Sequence, residues 1–346
     1  MPLNRPVVTA LAAALSLLTS ACGATSDDDK ADADSTQAGA SAPGYPVTLD
    51  NCGRKETFTK APSRVVVMNG ASVAEVSTLL ALGLQDRIVA NQQGYGSSEV
   101  PGRAAAIKAL PTGDVALNDA YDIPREAMFG LRPDLVLSLT SYGFDQKNGF
   151  ATREQLAQIG ANTYVSPQGC DDEPSKMTVA DSYRLLRDMG RIFNVGAKAE
   201  ELIAASKKNI AAVARKVRAE KKPRVMVLFS NMTMGSNDFS SVVSHGIVND
   251  ILAKAGAANA FADASTTTFA DLSKEKAAAT DVDAVVVIAY HDPNPAAYAE
   301  KLLKEFPQWP AARTHTYVTL SDSMYLGPSN DLAVERIARK LHPDAF

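Results

Sequence analysis

The side chains able to do chemistry are spread thinly along the 346 residues. The four histidines, His245, His291, His315 and His342, stand far apart, and none forms an HxxxH-like pair. A zinc or manganese centre needs several clustered ligands, so no metal site is expected. Ser244 and His245 adjoin in SHGIVND, but adjacency in sequence does not make a nucleophile and its base. There is no GxSxG elbow, no HExxH and no glycine-rich phosphate loop. No catalytic residue and no cofactor is assigned, and an exported hydrolase is the disfavoured enzymatic alternative. What remains is a set of amides and aromatics suited to binding: flat apolar surface with a few placed hydrogen bonds.

Those residues follow short apolar runs that read as buried strands. Asn69 and Ser72 follow RVVVM, Gln93 and Tyr95 follow RIVAN, and Tyr142 and Phe144 follow DLVLSL. In the second half Asn231 and Met232 follow VMVLFS, Tyr290 and His291 follow AVVVIA, and Met324 and Tyr325 follow TYVTLS. Ligands of open α/β sheets bind beyond the carboxyl ends of strands, which nominates this set as the ligand contacts. No arginine falls on these strand-end loops, which argues against a strongly anionic ligand.

The runs alternate with segments of helical spacing, SVAEVSTLLALGL among them, and so imply parallel sheets covered on both faces. The pattern occurs twice. PRVMVLFSN parallels SRVVVMNGA, and SKEKAAATDVDAVVVIAY parallels PREAMFGLRPDLVLSLTS. Glu126 lies eight positions before Asp134 and Glu275 eight before Asp283, each Asp opening a buried strand; both halves close on a strand beginning TYV. Two α/β lobes of one plan follow from this weak repeat, over residues 47–196 and 222–346. Between them, residues 197–221 lack Gly and Pro and place Leu202, Ile203, Ile210, Val213 and Val217 at helical spacing, predicting one long inter-lobe helix.

Ahead of the lobes, Arg5 precedes the apolar stretch VVTALAAALSLL, about a dozen residues where a membrane span needs about twenty. Residues 1–21 therefore read as a signal peptide. TSAC resembles the lipobox of bacterial lipoproteins, with Thr19 where a larger aliphatic residue is usual, and this makes Cys22 the lipidated first residue of the mature chain. Residues 22–46, almost without large apolar side chains, are expected to be a disordered tether. The remaining Cys52 and Cys170 suggest a disulfide in an exported chain. Net charge of -4 gives no basic footprint for nucleic acid.

The order RVVVMNG, AEVSTLLALGLQDRIVA, IPREAMFGLRPDLVL, LAQIGANTYVSP, long helix, ILAKAGAANAFAD and LSKEKAAATDVDAVVVI resembles the iron-siderophore and vitamin B12 class of ABC-transporter substrate-binding proteins, from about Arg64 to Pro343. The resemblance implies two Rossmann-like lobes bridged by a single long backbone helix, a ligand in the cleft and little closure. It implies a receptor on the outer face of the cell membrane, held by its lipid anchor and expected to be monomeric, whose partners are a permease and its ATPase. It also implies that Glu126 and Glu275, on the helices before the buried strands, pair with arginines of the permease. The implied cargo is a ferric siderophore or similar bulky metal chelate. Cobalamin or another corrinoid, haem, and a deazaflavin precursor, suggested by DNCGRKETF and YVSPQGC, are the alternatives. Trp309, the sole tryptophan, is the expected fluorescent reporter of binding.

Overall fold

The computed structural model describes residues 42–170 and 174–346. The signal segment, Cys22 and most of the tether lie outside the described residues. The tether's last residues do not match the expectation of disorder to residue 46. Tyr45 packs against the core and its hydroxyl donates to Ile192 O at 2.7 Å, while Pro43 O accepts from Asn194 Nδ2 at 3.2 Å. The Tyr45 ring and the Pro43 carbonyl together hold the residues that precede the first lobe.

An antiparallel hairpin of β1 (Val47–Asn51) and β2 (Arg54–Phe58) opens the lobe. The first sheet is wholly parallel, in the order β4-β3-β5-β6, from β3 (Val65–Val67), β4 (Ile88–Asn91), β5 (Leu135–Ser138) and β6 (Asn162–Val165). Its helices are α1 (Ala74–Ala81), α2 (Arg103–Lys108), α3 (Arg125–Leu131) and α4 (Arg153–Gln158). Arg132, in left-handed geometry before Pro133, stops α3.

The chain then runs through α5 (Val179–Ile192) and α6 (Gly196–Lys216). The two approach closely at Gly190, where an added Cβ would lie 2.8 Å from the Ala199 Cβ. At ~1.5 Å per residue α6 is a rod of roughly 32 Å. It starts one residue before the predicted 197–221 helix and stops five short. Val217 turns into the core beside Gly256, and residues 218–222 carry no apolar side chain larger than the Ala219 methyl to hold a further turn.

The second sheet runs β10-β8-β7-β11-β12, from β7 (Arg224–Phe229), β8 (Phe239–Val243), β10 (Phe269–Leu272), β11 (Ala284–Ile288) and β12 (Tyr317–Leu320), with the two-residue β9 (Ala258–Asn259) also beside β7. Strands β7, β11 and β12 are parallel, but β8 pairs antiparallel with β7 and β10, a departure from the all-parallel expectation. Strand β8, FSSVV, was hidden because its serines break the apolar run. Ser241 buries its hydroxyl by donating to Phe229 O at 2.9 Å. Helices α7 (Ile247–Lys254), α8 (Lys274–Ala278), α9 (Pro295–Glu305), α10 (Pro310–Thr314) and α11 (Asn330–Leu341) complete this lobe.

Strand alternation sorts the core into three layers. Val65, Val67, Leu135 and Leu137 of the first sheet, and Val225, Val227, Val286 and Ile288 of the second, point into one central cluster that includes α5, α6 and α11. The opposite faces, Val66 and Val136 or Met226, Leu228, Val285 and Val287, belong to two separate outer clusters. Both sheets are therefore buried on both faces, which explains their unbroken apolar runs. Because the central cluster is shared, a wide swing of one lobe against the other would expose apolar surface at about 25 cal/mol per Å².

Candidate binding cleft

Two hollows open where the carboxyl ends of the strands meet. The larger, of about 570 Å³, lies between the segment after β4 (Asn91 to Ser97), helix α2 and the pair Tyr290 and His291 after β11. The second, of about 520 Å³, lies between the ends of β3 and β5 and the segment Ala120 to Asp122. Asn69 and Tyr290 line both, so the hollows adjoin across these two side chains. Each is within the several hundred Å³ typical of small-molecule sites.

The lobes are stitched together beside the larger hollow. The Tyr95 and Tyr290 rings meet edge to face at 5.2 Å, and the His291 amide donates to Tyr95 O at 2.8 Å. Ser97 Oγ donates to Ser321 Oγ at 2.9 Å, Ser98 Oγ donates to Asp322 Oδ2 at 2.8 Å, and the Ser323 amide donates to Glu99 Oε2 at 3.1 Å. Burial pushes the Asp322 carboxyl up to about 6, with the Ser98 hydroxyl opposing and the Glu99 carboxylate adding to the rise. A raised acid binds its proton more tightly in the native state than in the unfolded chain, so its contribution to stability is lost as pH rises through about 4 to 6. In urea titrations across that range, Asp322→Asn should lose on the order of 2 kcal/mol less between pH 4 and pH 7 than the parent. Parallel pH profiles would contradict this.

The nominated residues divide into two groups. Asn69, Gln93, Tyr95, Tyr290 and His291 line the larger hollow, and Tyr142 lines the second. Gln93 is buried and its side chain is already engaged, donating to Met68 O at 3.0 Å and accepting from the Val76 amide at 3.2 Å. Asn231 and Met232 line neither hollow, although Asn231 Nδ2 reaches His291 O at 3.5 Å and Met232 rests on the central core. Ser72, Phe144, Met324 and Tyr325 also line neither. Ser72 is buried, its Oγ accepting from the Ala74 amide at 2.9 Å at the start of α1. Phe144 belongs to the outer core of the first lobe, and Met324 to the central core. Tyr325 packs against that same core, where burial pushes its phenol up to about 12. The strand-end rule locates a loop and cannot tell which side of it faces inward. Trp309 is likewise distant: it stacks on Phe306 at 4.2 Å inside the outer core of the second lobe, so it is no reporter of the cleft.

Several lining residues escaped the sequence reading. Gln92, Lys108 and Thr112 line the larger hollow, and Tyr121 and Asp122 the second. Tyr121 is 75% exposed, with a positive φ of 58°. No strand precedes Tyr121, and an exposed tyrosine in NDAYDIP was the only available signal. Glu75 is a buried carboxyl on the apolar face of α1, held by donation from Gln93 Nε2 at 2.5 Å and from Ser166 Oγ, and raised above the ordinary range by its burial.

Outside the cleft, Glu126 and Glu275 occupy matching places. Each lies in the first turn of the short helix preceding a central strand, α3 before β5 and α8 before β11, and each is exposed. The repeat that located them is real in the backbone. The Ser63 and Arg64 amides donate to the Asp134 carboxylate at 2.8 Å, and the Arg224 amide donates to Asp283 Oδ2 at 2.8 Å. Glu126 is held below the ordinary range by the Arg125 side chain, its ion-pair partner at 2.6 Å. Glu275 is also lowered, by backbone hydrogen bonding and the Ser273 side chain.

Residues 65–324 match the family described as periplasmic binding protein. None of the curated proteins matches the chain. Among solved structures, the ABC-type Fe3+-hydroxamate transport system from Saccharomonospora viridis is similar at 25% identity and a TM-score of 0.65, covering 86% of this chain and 99% of the other. A periplasmic binding protein from Veillonella parvula is similar in fold at 21% identity and a TM-score of 0.67, over 86% of this chain and 97% of the other. The periplasmic heme-binding protein RhuT from Roseiflexus sp. RS-1 is similar in fold at 23% identity and a TM-score of 0.60, over 82% and 99%.

Proposed function

Because the chain belongs to the periplasmic binding protein family, and to its class serving ABC importers, we propose that it captures a ferric hydroxamate or a similarly bulky, weakly charged chelate and delivers it to a permease. The observation that carries this reading is the wall of the two hollows: aromatic rings from Tyr290, Tyr121 and Tyr142, amides from Asn69, Gln92 and Asn91, and, among the described residues that line them, Lys108 as the single lysine and no arginine. Flat apolar surface with few polar anchors suits a large amphipathic ligand, and a neutral ferric chelate needs no cationic clamp. The Fe3+-hydroxamate transport neighbour supports the same cargo, and the heme-binding neighbour keeps haem as the second reading. Cobalamin and a deazaflavin precursor remain in the panel on the sequence resemblance alone.

The receptor works outside the cytoplasm, as its family does, and no helix among the described residues is long and apolar enough to cross a membrane. Attachment is assigned to diacylglycerol on Cys22, with the following residues as tether and the two lobes acting as a monomer. Two or more acyl chains would make such attachment stable. Capture involves no bond-making, so ligand should be recovered chemically unchanged. Isothermal titration of the full chain against a ferric trihydroxamate, a ferric catecholate, haem, cobalamin and a deazaflavin precursor tests the assignment. Saturable sub-micromolar binding of the trihydroxamate alone is the expected outcome. Saturation by haem only would transfer the site to the second reading, and silence across the panel would refute a chelate receptor.

A further inference from the structure

Among the described residues, a single ionisable carboxyl, that of Asp122, and no basic group line the second hollow. Asp122 is 5% exposed and rigidly seated: Oδ2 accepts from the Asn69 amide at 2.8 Å, and Oδ1 from the Ile123 amide at 2.8 Å. Its own amide and carbonyl bond Asn118, at 3.3 and 3.0 Å. Asn69, the residue common to both hollows, also donates from Nδ2 to Tyr121 O at 3.0 Å, so the carboxyl is tied into the cleft wall itself. One amide donor per oxygen leaves further acceptor capacity on both. A desolvated carboxylate facing aromatic rings without a cation is costly, and burial pushes it up to about 6 despite the two amides.

We propose that Asp122 is a specificity-determining ligand contact that selects chelates carrying a protonated amine on a flexible arm, the arm entering the hollow between Tyr121 and Tyr142. The preferred class is then a linear ferric trihydroxamate with a free ammonium end, over its ring-closed neutral counterpart. The inference rests on the chelate reading above and narrows it. The ammonium supplies the charge-assisted partner that the described lining of the second hollow lacks, and the surrounding rings add cation–π attraction. Tyr121, Tyr142 and Tyr290 are the titratable side chains lining the same hollow, and burial raises the Tyr290 phenol further. His291 and Lys108 line the adjoining hollow, so a pH series must be run on Asp122→Asn as well.

The test is calorimetric titration of the full chain and of Asp122→Asn with ferrioxamine B, linear and aminated, and ferrioxamine E, cyclic and neutral, at pH 7.5 and pH 5. The parent should prefer ferrioxamine B by ~10-fold at pH 7.5, as one charge-assisted contact allows, and should lose most of that preference at pH 5. Asp122→Asn should bind the two equally at both values. Equal binding by the parent, or an unchanged preference in Asp122→Asn, would overturn the role of Asp122 and leave the receptor reading standing. If neither chelate binds the folded parent, the hydroxamate reading fails and the inference with it. Should the variant not fold, the parent's own pH pair decides: a preference that persists at pH 5 refutes the proposal.

Discussion

Replacing Cys52 and Cys170 together by serine should lower the unfolding free energy by ~4 to 5 kcal/mol, the chain-entropy value for a loop of this length. The disulfide spans 118 residues, with the Cα atoms 5.2 Å apart, and the loop it closes contains the whole first sheet. For a chain of this size that loss corresponds to a fall of roughly 6 to 8 °C in the thermal midpoint. The folded geometry should survive, because the β1–β2 hairpin is held independently. Asn51 Nδ2 donates to Val165 O at 2.8 Å and the Val165 amide returns to Asn51 Oδ1 at 2.9 Å, while buried Arg153 bridges Asn51 and Glu56 at 3.0 and 3.1 Å. The loss therefore falls on the unfolded state, which gains freedom. Urea unfolding of the parent, with and without reductant, and of the double variant measures it. Coincident midpoints in all three would show that the bridge adds nothing.

Reversing both Glu126 and Glu275 to lysine should abolish import while leaving ligand affinity within about twofold. Neither residue touches the hollows, and both are exposed, so the change removes little from folding or from the cleft. What it alters is the sign of charge at two matching points, one per lobe, where a permease would dock. Opposed charges brought together on association steer and align the partners, and like charges in the same places repel them. Uptake in cells displaying equal amounts of each receptor, paired with calorimetry on the purified proteins, separates docking from capture. Normal uptake by the double reversal would remove these residues from the docking surface, and a matching loss of affinity would mean that they act through the fold.

Much of the architecture was legible because its signals are local. A short unbroken run such as VVV or AVVVI suits a strand buried on both faces, and a stripe such as Ile203, Ile210 and Val213 fixes one side of a helix. The offset of eight between Glu126 and Asp134, and between Glu275 and Asp283, survives folding because each Asp anchors the start of the neighbouring strand. Strand β8 and the β1–β2 hairpin lack such a signal, since Ser240, Ser241 and Glu56 are polar residues buried there, Glu56 against Arg153 from a distant part of the chain.

The sequence by itself determined the two-lobed α/β plan, the positions of its central strands, the linking helix and the loops that would surround a cleft, because those follow from the periodicity of neighbouring residues. Only the tertiary structure decided which loop side chains face that cleft. Ser72 and Tyr290 both follow β-strands, yet one is buried with its hydroxyl on the Ala74 amide and the other stands between two hollows. Asp122 and Lys108 belong to segments that no strand-end rule would select. The reason is physical: a side chain's direction at a loop is set by packing against the opposite lobe and by long-range hydrogen bonds, such as those from residues 97–99 to residues 321–323.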